Sequence, residues 1–167
     1  MIGNLAAFLT MIAHGEGTDR VCDPYRATFQ GESSPGLKKP MHLIMDFADH
    51  PAVTGEWKGE SLAFLGPRYA GEISTAAGRY QITKPTWLRL KALLQLPDFG
   101  PASQDLACQQ LIRERGALNL VLSGQVGLAI TQCREEWASL PGGSSGQPQA
   151  AYADLLSAYG AAGGAFA

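Results

Sequence analysis

The chain has 167 residues, with 13 Lys and Arg against 15 Asp and Glu, for a formal net charge of -2. That length suits one domain with a substantial core. Charged residues make up 17%, below the roughly 25% of ordinary soluble domains, and the balance is not that of a polycation, which argues against a nucleic-acid binder.

Leu5, Phe8, Leu9 and Ile12 fall at i, i+3, i+4 and i+7, one face of a helix. Asn4 is its expected N-cap, and Gly15 and Gly17 are expected to end it. Residues 18–75 carry little helical pattern and many prolines and glycines. They read as an irregular lobe with two or three short strands, one of them over Met41–Asp49. Helical periodicity resumes over Lys84–Leu94, with Trp87, Leu90 and Leu94 on one face and Pro85 in the first turn. Ser103 is the expected cap of a further helix that ends at Gly116. Leu118–Leu122 is a short apolar run, and Val126, Ile130, Cys133 and Trp137 mark another helix. After the linker Pro141–Gly146, Tyr152, Leu155, Leu156 and Tyr159 define the last helix. Gly160 is its expected left-handed cap, and residues 161–167 are expected to fray. The sum is one α+β domain over residues 1–160, with the lobe of about residues 20–75 inserted after the first helix. An extended ligand is expected between lobe and helices.

Cysteines stand at 22, 108 and 133. An odd number without a CxxC pair indicates neither a disulfide framework nor a zinc knuckle; residues 108 and 133 are expected to be buried thiols. No apolar stretch reaches the 18 or so residues of a membrane span. Met1–Ile12 has neither a positive charge nor a small-residue cleavage site, so it does not read as a signal peptide. A cytoplasmic site of synthesis is therefore expected, with no stable membrane insertion and no sign of an oligomer.

Two stretches can carry chemistry. In His14-Gly15-Glu16-Gly17-Thr18-Asp19 the small neighbours leave Glu16 room to face a ligand. A helix C-terminus and burial both disfavour a carboxylate, which suits a proton donor. Glu16 as a surface residue in a helix-ending turn is equally compatible with these residues. In Ser74–Ile82, Gly78 permits a close backbone approach, while Arg79, Tyr80 and Gln81 offer a donor fork, a flat ring and an amide suited to a polyhydroxylated chain. The bland alternative is a loop with Tyr80 packed inward and the other two in water. Asp46, Asp49 and His50, with His14 and Glu16, match no metal-ligand spacing, so no metal or other cofactor is expected. There is no G-x-S-x-G elbow and no nucleotide-binding glycine motif.

The words Ala7-Phe8-Leu9, Glu16-Gly17-Thr18-Asp19, Asp49-His50-Pro51, Ala77-Gly78-Arg79-Tyr80-Gln81, Ser103-Gln104-Asp105, Arg113–Leu118 and Trp137–Gly142 occur in an order that resembles the lambda-type endolysins of tailed phages. Asp46, Ser74-Thr75 and Phe99 fit the same order. The resemblance implies a lysozyme-like fold, with a mainly helical lobe, a small β-lobe and a saccharide cleft. It implies cleavage of the β-1,4 bond between N-acetylmuramic acid and N-acetylglucosamine in peptidoglycan, as a lytic transglycosylase that leaves a 1,6-anhydro sugar. Glu16 corresponds to the family's catalytic glutamate. Tyr80 and Gln81 are implied to line the cleft, with Asp46, Asp49, His50 and Arg79 as further substrate contacts and Thr18, Asp19 and Gly78 as support. A separate holin is implied for access to the wall, so that the protein waits in the host cytoplasm and acts in the periplasm. Three stretches depart from the family pattern: residues 20–40, Met45-Asp46-Phe47 where Thr-Asp-Tyr is usual, and Ser144–Gln147. The rivals are a hydrolytic muramidase in which Asp46 or Asp49 places a water, a glycan binder without activity, and a structural component.

Overall fold

The computed structural model describes residues 3–30 and 41–167; the divergent Ser33-Ser34-Pro35 lies outside them. The chain forms two compact units, Asp23–Gln104 and a second made of residues 1–22 and 105–167.

The discontinuous unit is helical. Helix α1 spans Asn4–Gly15 and buries Ala7, Phe8, Leu9, Met11, Ile12 and Ala13. Burial extends beyond one stripe because α1 packs against both α5 (Leu118–Leu122) and α7 (Tyr152–Ala161). Helix α6 (Val126–Cys133) adds Val126, Ala129, Ile130 and Cys133 to this core, and Trp137 follows it, also buried. Helix α4 (Pro101–Glu114) ends at Gly116, whose φ of 69° is the left-handed conformation that closes a helix. Cys108 is buried with Cys133, and Cys22 is exposed; all three are free thiols.

Four local expectations are revised. Asn4 is the first helical residue and Gly3 the N-cap. The Asn4 side chain instead reaches across the fold, donating to the Leu122 carbonyl at 3.2 Å and accepting from the Ala165 N–H at 2.9 Å. Residues 161–167, expected to fray, make further contacts with the fold. The Ala167 N–H donates to the Gly124 carbonyl, the Tyr159 hydroxyl donates to the Ala165 carbonyl, and the Phe166 ring sits edge-on to Tyr159. Gly160 lies inside α7, and Gly163, at φ 85°, is the left-handed residue beyond it. Ser103 lies within α4, which starts at Pro101. The Asp98 carboxylate serves that helix start by accepting from the Gly100 N–H at 2.8 Å and the Ser103 hydroxyl at 2.9 Å.

The continuous unit has little regular structure apart from α3 (Lys84–Leu94), which buries Trp87 and Leu90. Strands β1 (Glu60–Ser61) and β2 (Ile73–Ser74) pair antiparallel, Glu60 opposite Ser74. Helix α2 (Pro51–Thr54) is a single turn. Met41–Asp49 forms no strand beyond an isolated bridge of Leu43 to Ala27. Side chains take several of the backbone groups that a strand partner would bind. The Arg26 guanidinium donates to the Ile44 and Met45 carbonyls, the Thr28 hydroxyl donates to the His42 carbonyl, and Glu56 accepts from the Met45 N–H. Among the described residues, no helix is long and apolar enough to cross a membrane.

Candidate active site

Glu16 follows the last residue of α1. Its N–H closes the helix on the Ile12 carbonyl at 2.9 Å, and Gly17 then turns the chain away at φ 72°. The negative end of the helix dipole disfavours a carboxylate beside it. Burial has the larger effect and pushes the Glu16 carboxyl from 4.5 up to about 7, against the lowering action of hydrogen bonds from the Ser139 hydroxyl and backbone N–H. The Ser139 hydroxyl donates to Glu16 Oε1 at 2.6 Å. At neutral pH this group is therefore poised between giving a proton and taking one.

Ser139 reaches Glu16 because Gly15 has no side chain. A Cβ on Gly15 would stand 3.2 Å from Ser139 Oγ and 3.2 Å from Leu155 Cδ2 on α7. Ser139 is itself buried, and its carbonyl accepts from the Ala150 N–H at 2.7 Å, which ties the segment between α6 and α7 to the acid. Sequence reasoning gave Ser139 no role. The signal lay in the Trp137–Gly142 word and in a glycine directly before the glutamate.

The expected support residues hold the turn after α1. Thr18 is buried and donates from its hydroxyl to the Ala13 carbonyl at 3.2 Å. Asp19 Oδ2 lies 2.6 Å from His14 Nδ1, an ion pair when the ring is protonated.

In the continuous unit the expected sugar contacts separate into two groups. His50 and Tyr80 are buried, and Asp49 is half-buried among hydrogen-bond partners. Asp49 loses something to desolvation, but hydrogen bonds from Lys91, Trp87 and the His50 N–H outweigh it and hold its carboxyl below the usual range. Lys91 Nζ lies at 2.6 Å and Trp87 Nε1 at 2.7 Å, so Asp49 anchors α3. His50 is fully buried, with Nε2 at 3.0 Å from the Ile82 carbonyl and Nδ1 accepting from the Ala52 N–H at 3.2 Å. Desolvation pushes its pKa from 6.5 to about 4, so the ring is neutral at pH 7. The Phe99 ring packs edge-on against both His50 and Trp87. Tyr80 has no exposed surface, and a covered ring offers no face to a sugar.

The second group keeps exposure. Asp46 is exposed and accepts from the Ala48 N–H at 2.9 Å. Gln81 is half-buried, and its φ of 50° is unusual for a residue with a side chain. Such backbone strain clusters at ligand sites. Its amide donates to the Gly78 carbonyl at 3.0 Å. Arg79 is held by its surroundings: its guanidinium donates to the Tyr25 hydroxyl at 2.8 Å and lies over the Tyr25 and Tyr80 rings. Gln104, also given no role by the sequence, is buried and organises this turn. It accepts from the Arg79 N–H at 2.8 Å and donates to the Tyr25 and Phe99 carbonyls. A Cβ on Gly78 would fall 2.2 Å from Gln104 Oε1, so the close approach anticipated at Gly78 is to this amide. In the divergent Met45-Asp46-Phe47, Met45 is 78% exposed and Phe47 lies under the Arg26 guanidinium. Among the described residues no group of three or more His, Cys, Asp or Glu side chains is arranged to hold a metal ion.

A family model described as Endolysin matches residues 6–166. The chain is 39% identical to the endolysin of Escherichia phage P2 over 96% of its own length and 93% of that protein. It is 37% identical to the endolysin of Escherichia phage lambda, over 95% of this chain and 90% of the relative. Among solved structures, bacteriophage lambda lysozyme complexed with a chitohexasaccharide matches at a TM-score of 0.80 and 35% identity, covering 100% of this chain and 99% of that one. Another structure of the lambda lysozyme matches at 0.75 and 32% identity, with the same coverage of each chain.

Proposed function

The chain belongs to the endolysin family, and from that premise we propose that it degrades peptidoglycan as a lytic transglycosylase with Glu16 as its acid and base. The observation that carries this reading is the placement of the Glu16 carboxyl, half-buried at a helix C-terminus and bound by the Ser139 hydroxyl at 2.6 Å, where desolvation raises its pKa. The substrate is a glycan strand, in keeping with the chitohexasaccharide held by the related lambda lysozyme.

In the first step the Glu16 proton passes to the glycosidic oxygen. The bond from that oxygen to C1 of the muramic acid breaks, and its electron pair stays with the leaving oxygen. In the second step the C6 hydroxyl of the same sugar attacks C1, and the Glu16 carboxylate takes the hydroxyl proton. A 1,6-anhydro ring forms, the acid is regenerated, and no water is consumed. Holding the C6 hydroxyl against its own C1 replaces the second, water-placing carboxylate of a hydrolase by effective molarity. Asp49 supports this reading over a muramidase built on that residue: a carboxylate bound by Lys91, Trp87 and a backbone N–H is a poor base. Gln81 and Asp46 carry the sugar contacts in the continuous unit in this reading. Delivery by a separate holin belongs to the same proposal.

Glu16→Gln tests the acid. It preserves size and the capacity to accept from Ser139 while removing the transferable proton. Lysis of chloroform-treated Gram-negative cells should fall on the order of a thousandfold, with an unchanged circular dichroism spectrum. Activity within about tenfold of the native protein would remove Glu16 from the mechanism.

A further inference from the structure

We propose that Ser139 is a positioning residue that selects which oxygen of Glu16 carries the acidic proton. The inference rests on Glu16 being the acid. The Ser139 hydroxyl donates to Oε1 at 2.6 Å. A carboxylic acid oxygen that accepts this bond is the carbonyl oxygen, so the transferable proton resides on Oε2. The hydroxyl keeps its own proton throughout and continues to donate once Glu16 is ionised, when the bond becomes charge-assisted and stronger. The base of the second step is thus stabilised without burying an unpartnered charge.

The surroundings are shaped for this contact. Ser139 is buried, so water cannot replace its hydroxyl freely. Its carbonyl is anchored by the Ala150 N–H, and its backbone N–H also favours the Glu16 carboxylate. Gly15 packs beside this contact, where an added Cβ would press on Ser139 Oγ at 3.2 Å. Removing the hydroxyl should do two things at once. The proton is freed to occupy either oxygen, so kcat falls. The ionised form loses a donor, so the acid holds its proton to higher pH.

The experiment compares native protein, Ser139→Ala, Ser139→Thr and Glu16→Gln on soluble glycan strands across pH, with circular dichroism to show that each is folded. Ser139→Ala should lower kcat about ten- to a hundredfold, the rate equivalent of one hydrogen bond to a charged group, and leave KM unchanged. Its alkaline limb should move to higher pH. Carbon NMR of the Glu16 carboxyl should show the same upward displacement without reference to turnover. Ser139→Thr, which retains the hydroxyl, should recover kcat and the native limb if its added methyl is accommodated. A Ser139→Ala protein with native kcat and a native Glu16 titration overturns the proposal, as does a loss confined to KM. If Glu16→Gln is itself active, the failure lies with the acid assignment; if it is inactive while Ser139→Ala behaves as native, it lies with Ser139 alone.

Discussion

A carboxyl that titrates at about 7 when folded and near 4.5 when exposed makes folding easier in acid than in base. Between those values the native state binds more protons than the unfolded chain, so the Glu16 contribution to stability is lost as pH rises through 7. His50 has the opposite sign. Its folded pKa of about 4 lies below the ordinary 6.5, so its contribution is present above 6.5 and is lost as pH falls toward 4. The two slopes oppose each other across the interval they share. Glu16→Gln should expose the His50 slope: the variant should melt higher than native protein at pH 8 and lose that advantage on acidification to pH 5. Thermal melts at the two pH values check this, and equal displacement at both would contradict it. Residue type left Glu16 open between a surface turn and a proton donor, and the endolysin words around it are what single it out. At Asp49, His50 and Tyr80 residue type says less, since titratable or amphipathic chemistry in a sequence does not distinguish a group that faces a ligand from one bound within the fold.

At the scale of elements, the turn through Gly78–Gln81 is built on Gln104 rather than on its own sequence. Gly78→Ala should cost on the order of 2–4 kcal/mol, because its φ of 77° strains any side chain and the added methyl would strike the Gln104 amide at 2.2 Å. Urea unfolding measures the loss; a native midpoint would show that Gln104 yields freely. Asp49→Ala should destabilise on the order of 1–3 kcal/mol by freeing Lys91 and the Trp87 indole, with Lys91 solvation limiting the loss. Its lytic rate at a temperature where it stays folded should be close to native. A folded, stable and inactive Asp49→Ala protein would instead mark Asp49 as a base. Helices α1, α3 and α6 were readable because an apolar period of 3.6 is a local signal. Met41–Asp49 was not, because several of its backbone groups are bound by the side chains of Arg26, Thr28 and Glu56, which no periodicity reveals.

For the whole molecule, the same limit applies to the ends of the chain. The glycine-rich tail looked loose because its partners, Asn4 and Gly124, lie far away in sequence. The endolysin words were legible across nearly the full length, and the family match over residues 6–166 agrees with them. Chemistry at the level of the whole protein then turns on whether solvent oxygen enters the product. Purified Gram-negative peptidoglycan should be digested in water enriched in heavy oxygen, and the soluble fragments weighed by mass spectrometry beside a Glu16→Gln digest. A single acid-base glutamate predicts fragments ending in 1,6-anhydromuramic acid, one water lighter than the hydrated form and free of the heavy isotope, and none from the variant. Reducing muramic acid ends carrying the heavy isotope would contradict the account and require a second carboxylate that places water.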